Sequence, residues 1–213
     1  MPNAYTDVSA NPSSFEWLLT ASADEETCHY DMKAQYPHGL LAYAASKSMS
    51  LDAAEEFIKI NKLKYDVVFL MPSLVIGPNP LSKTAEAYIS GTNAPLLRML
   101  FRRSGSPMLG SSILVEDVAK LHIKSLNLSI LAGRYLAASG GLNGTQWADA
   151  FGIVKENFPE AAGKIFEIEG KPVVVPINVD TSKTEKAFGF PFQSFEEQVK
   201  SVAENYIALL SGF

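Results

Sequence analysis

Apolar residues recur at helical spacing from about Ala45, at Met49, Ala53, Phe57 and Ile60, and the pattern stops near Asn61. This spacing predicts a helix. The next apolar stretch differs in kind. Asp66-Val-Val-Phe-Leu-Met71 is short, continuous and rich in β-branched side chains, which predicts a strand buried on both faces, as in a parallel sheet. Pro72-Ser-Leu-Val-Ile-Gly-Pro78 follows, and its two prolines and one glycine predict a loop.

Beyond the loop, Thr84–Ser90 and Pro95–Arg102 read as short helices around a glycine break, with Pro95 suited to a first helical position. Ser111–Leu114 leads into a helix that places Val118, Ala119, His122 and Leu126 on one side. Arg134-Tyr-Leu-Ala-Ala138 is a second strand, ended by Gly140-Gly141. Trp147, Phe151, Val154 and Phe158 mark another amphipathic helix. Pro172-Val-Val-Val-Pro-Ile-Asn-Val179 is extended and broken by prolines, which suits an edge strand or a strand of a substrate lobe. Ser194-Phe-Glu-Glu197 is a capping box opening a last helix that buries Val199, Val202, Tyr206 and Leu209. Strands alternating with helices predict an α/β fold. Residues 1–40, rich in Asn, Pro, Ser, Asp and Glu, read as an irregular segment, and 41–213 as a single domain.

Composition narrows the class. Hydrophobic residues make up 47% and charged residues 19%, ordinary values for a globular domain. A net charge of -5 argues against a nucleic-acid surface, and Arg102-Arg103 is too small to be a phosphate footprint. The lone Cys28 cannot form an internal disulfide, which suits a reducing, cytoplasmic setting. No apolar run is long enough to span a membrane, so no membrane partner is expected. Cys28, His29 and His38 show no spacing suited to a metal or a nucleophile, so no metal is expected either.

The chemistry rests on Tyr43-Ala-Ala-Ser-Lys47. Residues four apart share one face of a helix. A lysine charge beside a phenol favours phenolate, and a phenol so tuned can protonate a carbonyl oxygen or accept a proton near neutral pH. Tyr43 and Lys47 are therefore the candidate acid/base pair.

In order, Ala42-Tyr-Ala-Ala-Ser-Lys47, the Pro72–Pro78 loop and Ser112-Ile-Leu-Val-Glu-Asp-Val-Ala119 resemble the extended short-chain dehydrogenase/reductases. The nearest branch is that of the dihydroflavonol-reductase-like and fungal aldehyde/ketone reductases. Gly133-Arg-Tyr-Leu136, Val179-Asp-Thr-Ser-Lys183, Phe188-Gly-Phe190 and Ser194-Phe-Glu-Glu197 extend the likeness over roughly residues 40–211. The resemblance implies that Tyr43 is the general acid and that Lys47 holds the nicotinamide ribose. It implies that Pro72, Ser73, Leu74 and Val75 lie along the nicotinamide. It also implies that Met99, Leu100, Phe101 and Met108 stand near a small carbonyl substrate, and that the cofactor is NADP or NAD. The family's third catalytic residue, a Ser or Thr ending an upstream strand, would be Ser22 or Thr20, unless it preceded Met1.

The chain departs from the family in one large respect. Family members open on a strand, a glycine-rich turn and a helix whose N-terminus holds the pyrophosphate. No G-x-G-x-x-G occurs here, and the 42 residues before Tyr43 leave no room for several βαβ units at roughly 30 residues each. The expected fold is therefore the remnant of a Rossmann-type parallel sheet with a C-terminal substrate-binding lobe, truncated at its N-terminus. An exposed sheet edge would be covered by self-association or by a partner chain. Three functions stay open: NAD(P)H-dependent carbonyl reduction with the cofactor site completed elsewhere; a cofactor-free isomerase, dehydratase or cyclase of secondary metabolism using the same pair; and a non-catalytic, partner-binding remnant.

Overall fold

The computed structural model describes residues 39–101 and 107–211. By its contacts the chain divides into two units, residues 1–67 and 68–213.

In the first unit, helix α1 spans Gly39–Asn61. It starts a turn and a half before the apolar periodicity, because Leu40 through Ala45 are good helix formers that carry no face signal of their own. Phe57 and Ile60, two of the residues that define the periodicity, are exposed on it.

The second unit is built from strand pairs that are all parallel. Strand β1 (Val68–Pro72) pairs with β5 (Gly133–Ala137) in the register Val68 opposite Gly133 through Pro72 opposite Ala137. This is the parallel sheet that the apolar run predicts, but β1 is half-buried along most of its length. Full burial needs both faces of the sheet covered along the strand, and among the described residues this sheet has two strands.

The predicted loop proves to be partly a strand. Leu74–Ile76 forms β2, paired in parallel with β4 (Ser112–Leu114). Leu, Val and Ile are strong strand formers, and the prolines lie outside the triplet at Pro72 and Pro78, where neither removes a ladder hydrogen bond. The third pair is β3 (Met108–Leu109) with β6 (Val174–Val175), so the proline-rich extended segment does supply a short strand.

The helices follow their local signals. Thr84 caps α2 (Ala85–Tyr88), its hydroxyl accepting from the Ala87 N–H. Pro95 sits in the first turn of α3 (Ala94–Leu100). Helix α4 spans Val115–Lys124 but does not bury the face the sequence suggests. Asp117 and Leu121 face inward, His122 is exposed, and Leu126 lies past the helix end with 78% of its surface exposed. Asp117 can be buried because its carboxylate accepts from the Gln193 N–H at 2.7 Å and pairs with Lys120 at 3.3 Å. Helix α5 (Asp149–Asn157) places Phe151 and Val154 in the core, with Trp147 just ahead of it. After α6 (Ser182–Phe188), Ser194 caps α7 (Phe195–Leu210) by accepting from the Glu197 N–H, and α7 buries Gln198, Val199, Val202 and Ala203. The main core joins α3, α5 and α7 around Leu96, Leu97, Leu100, Trp147, Val154 and Val199. No described helix is long and apolar enough to cross a membrane.

Candidate active site

Tyr43 and Lys47 lie one turn apart on α1, and the Lys47 Nζ stands 5.4 Å from the centre of the Tyr43 ring. At that distance the ammonium meets the negative face of the ring, a contact worth about 0.5–1 kcal/mol at an exposed site. Tyr43 is 59% exposed and Lys47 is also exposed, so both heads are open to a ligand. Ser46 and Ser50 turn their hydroxyls back to the carbonyls of Tyr43 and Ser46, both at 2.7 Å, and so compete with nothing around the pair.

Pro72–Val75 is held from several directions. The Ser73 N–H donates to the Ala137 carbonyl at 2.9 Å, continuing the β1/β5 ladder by one step. Leu74 and Val75 then pair with Ser112 and Ile113 of β4. The segment therefore changes neighbour at Ser73, and the Ser139 N–H closes the gap between those neighbours by donating to the Ser112 carbonyl at 2.8 Å. Around this switch the hydroxyls of Ser73, Ser111 and Ser139 are buried without a hydrogen-bond partner. Unpaired buried hydroxyls are costly, and a crevice at the carboxyl end of parallel strands is where open α/β sheets bind ligands. The Ser73 hydroxyl thus fits a polar ligand group such as a carboxamide.

Just beyond, Gly77 is fixed by side chains. Its N–H donates to the Asn93 Oδ1 at 2.9 Å, and its carbonyl accepts from the Asn93 Nδ2 at 2.8 Å and from the Tyr88 hydroxyl at 3.1 Å. Burial, with the negative charge of Glu116, pushes the Tyr88 phenol above its ordinary range, so it stays a donor. Below β4, the Ser112 hydroxyl donates to the Gln198 Oε1 at 2.8 Å and meets the Thr145 Oγ1 at 2.9 Å. A hydroxyl has one proton, so Thr145 must be the donor of the second bond.

Met99, Leu100, Phe101 and Met108 are brought together, but within the core. Leu100 is wholly buried and Met108 nearly so, while Met99 and Phe101 pack against the same cluster from its margin. A cavity of about 460 Å³ opens elsewhere in the second unit, bordered by Thr145, Gln146, Trp147, Lys171, Pro172 and Asn178, and none of the sequence-predicted site residues lines it. Ser22, Thr20, Cys28, His29 and His38 lie outside the described residues. Among the described residues no three His, Cys, Asp or Glu side chains gather as metal ligands do. Sequence reasoning missed Asn93, Tyr88, Ser111 and Ser139. Only the Gly77-Pro78 turn signalled that something must hold the end of that segment.

No family model matches the chain. The ketoreductase CTB6 of Cercospora beticola is 30% identical over 186 residues, which cover 84% of this chain and 52% of that protein. The NAD-dependent epimerase/dehydratase FUM13 of Gibberella moniliformis is 28% identical over 203 residues, covering 86% of this chain and 55% of that protein. The chain thus spans about half the length of the curated relatives it matches. Among solved structures, the yeast methylglyoxal/isovaleraldehyde reductase Gre2, complexed with NADPH, superposes with a TM-score of 0.68 at 22% identity, covering 89% of this chain and 58% of that one. The shared parallel α/β fold and the ketoreductase and epimerase/dehydratase names of these relatives are consistent with a member of the extended short-chain dehydrogenase/reductase (NAD-dependent epimerase/dehydratase) superfamily.

Proposed function

We propose that this chain carries the proton-donating part of an NAD(P)H-dependent reductase of small carbonyl compounds. The observation that carries the reading is the Tyr43–Lys47 pair, one turn apart and exposed on α1, with the ammonium 5.4 Å from the ring. When bound, a nicotinamide dinucleotide supplies hydride to the carbonyl carbon. Tyr43 donates its phenolic proton to the carbonyl oxygen as negative charge develops there. Lys47 holds the ribose hydroxyls through its three N–H donors and compensates the charge left on the Tyr43 oxygen. Pro72, Ser73, Leu74 and Val75 lie along the nicotinamide, with the unpartnered Ser73 hydroxyl available to its carboxamide. Met99 and Phe101, at the margin of the core, form an apolar wall toward the substrate, with Leu100 and Met108 backing them. Ser22, with Thr20 as its alternative, is the candidate within this sequence for the group that orients the substrate carbonyl. The pyrophosphate is held by residues other than these, since no glycine-rich turn occurs in this sequence. A second copy or a partner chain covers the open side of the β1/β5 pair, which has two strands among the described residues.

One rival rests on the same exposed pair, with Tyr43 and Lys47 acting without cofactor as an isomerase, dehydratase or cyclase pair. Absorbance at the reduced-nicotinamide band, followed while a panel of small ketones and aldehydes is added, separates the two. The reductase reading predicts carbonyl-dependent loss of NADPH or NADH. Conversion of a panel compound at the same rate without cofactor would overturn it. A chain that serves only as a binding module would convert nothing, and Tyr43→Phe would change no property of it.

A further inference from the structure

Asn93 clamps the far end of the β2 segment. The residue is 4% exposed and lies 16 positions from Gly77, yet its side chain exchanges two hydrogen bonds with that residue's backbone. In an extended strand the N–H and C=O of one residue point to the same side, and paired residues of neighbouring strands exchange both groups. The Asn93 carboxamide reproduces that exchange with a side chain. It occupies the edge of the Leu74–Gly77 segment, while β4 pairs along Leu74–Ile76. The amide orientation is fixed by chemistry, because the Gly77 N–H can only donate and so must face Oδ1. The Tyr88 hydroxyl adds a second donor to the Gly77 carbonyl.

Gly77 itself cannot be moved cheaply. Its φ is 145°, a conformation that favours glycine, and a Cβ there would lie 2.6 Å from the Val115 Cγ1. The clamp therefore fixes the end of a segment whose start, at Ser73, is fixed by Ala137. Between these two points lie Leu74 and Val75.

We propose that Asn93 is the positioning residue of the nicotinamide-side segment: its carboxamide, acting as a substitute strand for Gly77, sets the conformation in which Pro72–Val75 receives the cofactor. This rests on the reductase reading above. Asn93 touches neither cofactor nor substrate, so its removal should act on cofactor affinity through the segment rather than on proton transfer.

The test is calorimetric titration of NADPH into the full chain and three variants, with amide hydrogen exchange read at Gly77. Asn93→Asp keeps the acceptor for the Gly77 N–H but loses the donor to its carbonyl. It should weaken NADPH binding about tenfold, on the order of one charge-assisted or two ordinary hydrogen bonds, and speed exchange at Gly77. Tyr88→Phe removes one donor and leaves Asn93 in place, so it should weaken binding about two- to threefold. It carries the test if Asn93→Asp does not fold. Thr184→Ala removes a buried hydroxyl bonded to the Leu136 carbonyl at 2.7 Å, on the β5 side of the sheet and outside the Asn93–Tyr88 clamp on Gly77. It should lower thermal stability and leave NADPH affinity alone. Unchanged affinity in Asn93→Asp and Tyr88→Phe, or an equal loss in Thr184→Ala, overturns the positioning role while the reductase reading stands. A wild-type chain that binds no NADPH overturns the reductase reading and this inference together, and the wild type alone tells the two failures apart.

Discussion

Helix α1 and the Pro72–Gly77 segment hold the residues of the proposed site in opposite ways. On α1, Tyr43 and Lys47 are exposed, and what fixes their spacing is the helix they share. Pro72–Gly77 is instead tied down by residues far along the chain: Ala137, Ser112, Asn93 and Tyr88. Local order is enough for a two-residue acid/base device, because the i, i+4 spacing already aligns it. The backbone path of Pro72–Gly77 is set instead by hydrogen bonds to residues distant in sequence. Function and stability should therefore separate between the two regions.

The largest expected effect is on activity alone. Tyr43→Phe should lower carbonyl reduction by about 10²–10⁴-fold, while its thermal midpoint stays at the wild-type value, since the lost hydroxyl is on an exposed ring. A fall in midpoint would show that Tyr43 is structural and blur the contrast. Gly77→Ala should behave oppositely. Its Cβ would meet Val115 at 2.6 Å from a φ of 145°, so denaturant unfolding should show a loss of about 1–3 kcal/mol. Ser112→Ala should cost about 1–2 kcal/mol in the same experiment, because it strands the Gln198 and Thr145 side-chain groups in the interior.

The smallest effect is a pH dependence. The Tyr88 phenol lies above its ordinary value of 10.0 because it is buried and faces the charge of Glu116. A phenol raised in the folded state favours folding fully below pH 10.0, and that contribution is lost as pH climbs above it. Unfolding free energy should therefore decline on the alkaline side, and Tyr88→Phe should flatten the decline. An identical alkaline limb in the variant would assign it to other groups.

What was legible in the sequence follows the same division. The Tyr43–Lys47 pair and the α1 helix could be read directly, because periodicity and spacing are local. So could the cap at Ser194, the short helix beginning near Thr84, the turn at Pro95, and the parallel strand ending at Pro72. Strand β2 was hidden by its flanking prolines, although Leu74-Val-Ile76 is as apolar as any strand in the chain. The apolar pattern of α4 gave no sign that Asp117 is buried, because it is polar. Its burial depends on the Gln193 N–H, 76 residues away, and no local pattern records that partner. Asn93 is the extreme case. A side chain that substitutes for a strand leaves no period in the sequence, and only the fold brings it to Gly77. The four residues that the resemblance places near substrate belong to the main core or pack against it, and large apolar side chains carry no local signal that separates a core wall from a pocket wall.

The central claim is that the Tyr43–Lys47 pair works with a nicotinamide cofactor. Calorimetric titration of the purified chain with NADPH and NADH, repeated on Lys47→Ala, tests it most directly. The account predicts saturable binding of at least one dinucleotide by the wild type and loss of that binding in Lys47→Ala, with the thermal midpoint unchanged. Absence of binding by the wild type, or equal binding by Lys47→Ala, would contradict it.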